Sequence, residues 1–463
     1  MITCVLKNHG FRNEVQVVAQ VFFPGAKFAF LDDVADAGFS VVSEIVAGGA
    51  KGFVYENGVC RAEYLFDSTA DYLNERRIVM LALFHALKTA VPTDTPWGAL
   101  TGVRPSKPVR EWLEAHLDER EILRRPTQTF CVSEEKSQLA LSAAHAEKLI
   151  GKKICGTSGL YVSVPFCPSR CVYCSFNTSQ KPASEDFLQM YLDALVAEIR
   201  SFRIDLPLSS IYIGGGTPTV LSNRQLETLL SAICENFPVS CEFTVEAGRP
   251  DTITPQNLGI LKRYGVNRIA INPQTSNDRT LAAIGRNHRF ADFLAAYDMA
   301  RQAGFDCINV DLIAGLPGET PADMRRSMDA LARLAPENIT IHTLAIKRAS
   351  RLNELRLTPG PEGVPEMLAI SDEACRAANL RPYYLYRQKN MAARLENVGY
   401  ARPGYECLYN AGMMAELQTI YGVGAGAVTK FIAGDLITRK FNPKAPDIYI
   451  RKTPVPWGNA PRT

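Results

Sequence analysis

The stretch Val164-Pro165-Phe166-Cys167-Pro168-Ser169-Arg170-Cys171-Val172-Tyr173-Cys174-Ser175-Phe176 sets three thiols in a C-x3-C-x2-C spacing. It follows directly on a strand-like run, Leu160-Tyr161-Val162-Ser163-Val164. A four-iron cube takes four thiolates. Three ligands in one tight loop would hold three irons and leave the fourth open. An open iron can bind S-adenosylmethionine (SAM) through its amino and carboxylate groups, the arrangement in which SAM is reductively cleaved to a 5′-deoxyadenosyl radical. Two other chemistries use such thiols. Zinc wants a fourth Cys or His at comparable local spacing, and the nearest downstream thiols, Cys234 and Cys241, lie on a separate segment. The pair Cys171 and Cys174 also has the C-x2-C spacing of thioredoxin-like redox motifs.

Outward from this loop the chain alternates strand and helix. Strand-like runs fall at 160–164, 209–213, 242–246, 268–272, 308–313 and 339–346. Helical patterns lie between them at 184–203, 222–236, 254–264, 278–304 (interrupted at Gly285) and 319–334. Serial βα units argue for an α/β architecture with a parallel sheet. Six such units are fewer than the eight of a closed barrel. The expectation is an incomplete (β/α)6 barrel, with a flat doubly wound sheet as the alternative. Both put the site at the carboxyl ends of the strands.

Conspicuous polar residues fall at those ends. Gly214-Gly215-Gly216-Thr217-Pro218 follows the second strand, where glycines let backbone approach a ligand closely; a tight turn would use them too. Glu246 ends the third strand, placed to accept from ribose hydroxyls. Gln274 follows the fourth, with Arg286 beyond it, and Asp311 lies on the fifth. His342 ends the sixth, a buried structural histidine being its ordinary role. Any one of these residues could serve a salt bridge; their succession behind a three-cysteine loop points to a site.

The 463 residues suit about two or three domains by the usual ~150-residue prior. Lys+Arg 51 against Asp+Glu 48 leaves +3, with no basic field to suggest nucleic acid. No apolar run reaches the ~20 residues of a membrane span, and the N-terminus lacks a signal-peptide pattern. Twelve scattered cysteines read as reduced thiols in a cytoplasmic protein. Three domains are expected: 1–155, a small α+β domain; 156–350, the barrel; and 351–463, an α+β extension covering the substrate. In the first, a helix is predicted at 15–23, strands at 28–31, 40–46, 51–55 and 59–65, and a hairpin at Glu56-Asn57-Gly58. A helix over 69–90 capped by Ser68 and another over 134–150 follow. Residues 97–107 read as a loop with two cations, and 151–159 as the linker. Beyond 351, a helix is expected at 365–378, and Gly422-Val423-Gly424-Ala425-Gly426 is weak as a dinucleotide loop because Ile420-Tyr421 does not clearly continue a βαβ unit.

With these motifs in order, the sequence resembles the radical SAM coproporphyrinogen III oxidase family, which holds the oxygen-independent oxidases HemN and the haem chaperones HemW. Within it the likeness is greatest to the HemZ-type coproporphyrinogen dehydrogenases, through Leu100-Thr101-Gly102-Val103-Arg104-Pro105-Ser106-Lys107 as well. The resemblance implies a radical SAM barrel with a 4Fe-4S cluster on Cys167, Cys171 and Cys174. It implies SAM contacts from Tyr161, Tyr173, Gly215, Gly216, Thr217, Glu246, Gln274, Arg286, Asp311 and Ala345. It further implies oxidative decarboxylation of tetrapyrrole propionates to vinyls in porphyrin and haem biosynthesis, with an external electron donor such as flavodoxin or ferredoxin. Substrate carboxylates would need cations, for which Arg348, Arg351, Arg387, Lys389, Arg394 and Arg402 are candidates. One position departs: HemN-type oxidases carry a further Cys two residues after the third ligand, and this chain has Phe176 there, as the HemW type does.

Overall fold

A computed structural model describes every residue except 68, 69, 71, 175, 177, 183, 346–351, 353–362, 389, 390, 435 and 454–463. Packing divides the chain into two units, Met1–Leu141 with Arg387–Asn390, and Ser142–Tyr386 with Met391–Thr463.

In the first unit, apolar alternation builds a five-stranded sheet ordered β2-β1-β3-β4-β5, from β1 (Ile2–Lys7), β2 (Phe28–Phe30), β3 (Phe39–Val46), β4 (Gly49–Glu56) and β5 (Val59–Asp67). The expected hairpin joins β4 to β5, with Asn57 at φ 51° and Gly58 at φ 74°, both in the left-handed region a tight hairpin needs. Helices α1 (Arg12–Phe22) and α2 (Glu75–Ala90) bury Val15, Val18, Leu83 and Phe84 in this core. The second begins later than predicted. Its cap is Asn74, whose side chain accepts the Arg77 amide at 3.0 Å, and Ser68 and Thr69 lie outside the described residues. The end of the predicted loop at 97–107 is already helical, in α3 (Ser106–Glu114), because Val109, Trp112 and Leu113 share a buried face. Further on come α4 (Glu119–Arg124) and α5 (Glu134–Lys153). The expected linker also loses its first residues to helix. Ile150 and the following Ile154 are buried in a cluster with Tyr383 and Ile420, so packing carries α5 through Lys153.

The second unit holds an eleven-stranded sheet. Its strands, with a small two-stranded pair, are β6 (Ser158–Val164), β7 (Phe166–Cys167), β8 (Ser179–Gln180), β9 (Leu208–Gly215), β10 (Glu242–Glu246), β11 (Arg268–Ala270), β12 (Ile308–Ala314), β13 (Asn338–Thr343), β14 (Arg381–Tyr386), β15 (Asn397–Ala401), β16 (Ile420–Val423), β17 (Val428–Ala433) and β18 (Leu436–Phe441). The large sheet runs β14-β15-β13-β12-β11-β10-β9-β6-β16-β17-β18. From β6 through β13 its neighbours pair in parallel, giving the six-unit open barrel of the sequence reading. The connecting helices are α6 (Glu185–Ser201), α7 (Asn223–Asn236), α8 (Pro255–Arg263), α9 (Asp278–Ala283), α10 (Phe290–Gln302) and α11 (Pro321–Leu334). The helical pattern at 278–304 is interrupted at Gly285, φ 76°, as the sequence indicated, and forms two helices.

Alternation along these strands sorts the faces. Leu160, Val162, Ile211, Ile213, Phe243 and Val245 form a fully buried apolar face. Tyr161, Ser163, Tyr212, Thr244 and Glu246 stand on the other. The strands after residue 351 extend the same sheet at both ends, and β16 pairs in parallel with β6. A short helix, Leu408–Met414, closes the amino end of the barrel: Glu242 accepts the amides of Leu408 at 2.9 Å and Tyr409 at 3.1 Å. Among the described residues no helix is long and apolar enough to cross a membrane.

Candidate active site at the carboxyl ends of the strands

The three-cysteine loop leaves β6 and is clasped at its base. Phe166 and Cys167 pair with Ser179 and Gln180, the Ser179 amide donates to Pro165 O at 2.8 Å, and the Lys181 amide donates to Cys167 O at 2.7 Å. The tip rests on the end of α9, with Val172 N on Ile284 O at 3.0 Å and Ser169 Oγ on Gly285 O at 3.1 Å. The glycine run after β9 lies against the same segment: Thr217 N donates to Phe166 O at 2.7 Å. Gly216 has to be glycine, since a Cβ there would stand 2.4 Å from Phe166 O.

Each thiol meets a polar donor. Thr217 Oγ1 is 3.6 Å from Cys167 Sγ, Arg249 Nη1 is 3.9 Å from Cys171 Sγ, and Thr178 Oγ1 is 4.0 Å from Cys174 Sγ. Burial pushes the Cys167 and Cys174 thiols up, and the Thr217 hydroxyl and the charges of Arg249 and Arg286 oppose it. Cys234 lies on α7 and Cys241 just before β10. Phe176 is 71% exposed.

Tyr173 and Arg286 are brought together. The buried guanidinium donates to the Tyr173 hydroxyl at 3.0 Å, to Gly248 O at 3.0 Å and to Asn272 O at 2.6 Å. Burial opposes its charge, but Tyr173 and Cys171 outweigh that and raise its pKa further. Glu246 is held by the Tyr212 hydroxyl and the Gly215 backbone; burial first and Asp311 second push its carboxyl up to about 7. Asp311 is the contrasting carboxylate. Burial would raise it, yet His342, with Nε2 3.5 Å from its Oδ2, and Asn309, at 2.7 Å from Oδ1, hold it below the usual range. Gln274, at φ 72°, bridges by backbone to Asp311 O and Ile313 N, both at 3.0 Å, and its Oε1 is buried without a hydrogen-bond partner. Ala345 lies just past β13, bridged to Met391.

Tyr161 belongs to an aromatic pile that sequence reasoning missed. Its ring lies 5.8 Å from Tyr409 and 6.3 Å from Tyr212, which themselves stack at 4.3 Å. The signal was period two: Tyr161 and Tyr212 are opposite one another in register. Arg249 was also given no role, although it stands three residues past Glu246.

Among the expected substrate cations, Arg387 falls in the first unit. Arg387 donates to Leu100 O at 2.6 Å and covers the Trp97 ring, bound to the 97–103 loop of the first unit. Arg402 lies beside Glu337 and Ala335, at the amino end of β13. Arg394 is at the site end, in a turn whose Ala392 amide bonds Leu344 O at 2.8 Å. Arg348, Arg351 and Lys389 lie outside the described residues.

An open parallel barrel with three thiols behind its first strand defines a radical SAM protein, and residues 161–331 match the model of the radical SAM superfamily. HemZ of Bacillus subtilis (strain 168), an oxygen-independent coproporphyrinogen-III oxidase-like protein, is 36% identical over 375 residues, 76% of this chain and 74% of its own. The haem chaperone HemW of the same organism is 34% identical over 281 residues, 58% of this chain and 69% of its own. In structure, the coproporphyrinogen III oxidase HemN from Escherichia coli aligns with a TM-score of 0.53 at 24% identity, covering 66% of this chain and 72% of that one. The chain belongs to the HemN/HemW/HemZ family of the radical SAM superfamily. Its cofactors are a 4Fe-4S cluster and SAM. The residues present fit both. Three thiols with polar donors at hand suit thiolate ligation. The buried, unpartnered Gln274 Oε1, and glycines whose side chains would strike Glu246 and Phe166, suit a polar ligand lying close to backbone.

Proposed function

We propose that this protein is an oxygen-independent coproporphyrinogen III dehydrogenase that converts propionate side chains to vinyls. The observation that carries this reading is the line of groups from the cysteine loop through Gly215, Glu246, Gln274 and Asp311 at consecutive strand ends of one sheet, in a chain most of whose length resembles HemZ. Cys167, Cys171 and Cys174 would hold the cluster, which with SAM supplies a carbon radical able to take a hydrogen atom. Gly215, Gly216 and Thr217 would receive the methionyl end of SAM. Glu246 would accept from its ribose, Gln274 would offer its unpartnered carbonyl, and Arg286 would keep Tyr173 against the loop. The Asp311–His342 pair keeps a charged carboxylate beside a ring able to carry a proton. Of the six candidate cations, Arg394 is the one described at the carboxyl ends of the strands, and it would meet a substrate propionate. The Tyr161–Tyr212–Tyr409 pile floors the barrel with flat apolar surface.

A second reading, a haem-handling protein of HemW type, is favoured by Phe176 at the position of the additional HemN-type Cys. The two separate on products. Under anaerobic reduction, the dehydrogenase releases 5′-deoxyadenosine and carbon dioxide in proportion to substrate consumed; the carrier releases no carbon dioxide and retains haem.

A further inference from the structure

We propose that Arg249 raises the reduction potential of the cluster, acting through the sulfur of Cys171. This deepens the function proposed above and rests on its reading of Cys167, Cys171 and Cys174 as cluster ligands. Arg249 follows β10, a segment distant in sequence from the loop, and its side chain is 3% exposed. Two of its nitrogens are taken by one carboxylate: Nε to Asp251 Oδ1 and Nη2 to Asp251 Oδ2, each at 3.1 Å. This planar fork fixes the third nitrogen. Nη1 then meets Ser169 Oγ at 3.0 Å, Ser169 O at 3.2 Å and Cys171 Sγ at 3.9 Å. The ion pair is thus oriented, with its positive end on the sulfur and its negative end away.

A guanidinium keeps its charge under all working conditions, and in a buried site that charge is weakly screened. Hydrogen bonds to the sulfurs and local charge set iron–sulfur potentials. Reduction transfers one electron from a low-potential one-electron donor to the cluster. Arg249 exchanges no proton or electron in that step and favours the more negative, reduced state. Its neighbour His288 is buried with its Nδ1 3.9 Å from Asp251. Burial first and Arg286 second pull the His288 pKa down to about 4, so it adds no competing charge near neutrality.

The test is a redox titration, followed by electron paramagnetic resonance, of the anaerobically reconstituted full chain and three variants, with iron and sulfide quantified in each. Arg249→Gln should lower the reduction equilibrium constant about tenfold or more, a fall of about 59 mV for one electron. Asp251→Asn, which leaves the cation uncompensated, should shift the potential the other way. Arg249→Lys should stay near the parent value. Opposite shifts are what an electrostatic role requires. Unchanged potentials, or shifts of the same sign in Arg249→Gln and Asp251→Asn, would overturn the proposal and indicate a role limited to holding Ser169. Should Arg249→Gln fail to assemble a cluster, Asp251→Asn decides by a rise or its absence. Failure of the parent chain to bind iron through the three cysteines would overturn the ligand reading and this proposal together. A normal cluster with flat potentials overturns only the part assigned to Arg249.

Discussion

Cys167, Cys171 and Cys174 differ from the other thiols by sharing one loop that is clasped at its base. Replacing all three with Ala should abolish the iron–sulfur absorbance near ~400 nm expected of a thiolate-bound cluster. Replacing Cys234 and Cys241 should leave it intact, and iron retained after the triple change would contradict the assignment. Glu246 makes a prediction in pH. Its carboxyl lies at about 7 in the fold against an ordinary 4.5, so the folded, ligand-free protein binds that proton more tightly than the unfolded chain. The stability it contributes is full below about pH 4.5 and lost as pH rises through about 7. The Tm of the parent relative to Glu246→Gln should therefore fall across that window, and a constant difference would show that Glu246 is not perturbed. Above pH 7, where the group is ionised, the same substitution should weaken SAM binding by roughly 1.5–3 kcal/mol, measured by calorimetry. The cysteine loop was legible in sequence because its geometry is written in local spacing. Arg249 was not, because its meaning depends on a carboxylate two residues on and a sulfur brought near only by the barrel.

The six parallel strands of the large sheet, β6 and β9 through β13, were legible because Val, Ile and Leu repeat at period two between capped helices. Strands β14 to β16 were not. Arg381-Pro382-Tyr383-Tyr384 and Ile420-Tyr421-Gly422 gain their extended form by pairing with β15 and β6, a tertiary cause that local propensity does not carry. The glycine loop after β16 gains its place in the same way. Gly424, at φ 94°, donates its amide to the buried Glu198 at 2.7 Å, and a Cβ there would lie 2.6 Å from Ser163 O. The closeness of β9 and the cysteine segment gives the test at this scale. Gly216→Ala must displace Phe166, at a cost of about 1–3 kcal/mol for an overpacked contact. Circular dichroism should show the fold intact while reconstituted iron falls; full iron occupancy with unchanged Tm would mean that the two segments move independently.

Across the second unit, the amino end of the barrel is tied by buried charge and the carboxyl end is left for chemistry. Arg268 and Glu242, 6% and 8% exposed at 3.4 Å, join β11 and β10 to the closing segment, where Arg268 also donates to Tyr405 O at 2.7 Å. Arg268→Met should destabilise by about 3–5 kcal/mol in denaturant unfolding, because it strands a buried carboxylate. Adding Glu242→Gln should recover part of that loss, and a strictly additive double variant would deny the coupling. Under the proposed function, such a closed floor has the substrate enter from the strand ends, where Glu246, Asp311 and Arg394 would meet it. The most direct measurement of what enters is anaerobic turnover with reduced, reconstituted protein, SAM and coproporphyrinogen III, with both products followed by mass spectrometry. The account predicts that 5′-deoxyadenosine forms faster with the tetrapyrrole than without it, and that a tetrapyrrole lighter by one or two carboxyl groups accumulates. Cofactor cleavage that never responds to coproporphyrinogen III, in a protein that binds haem tightly, would contradict it.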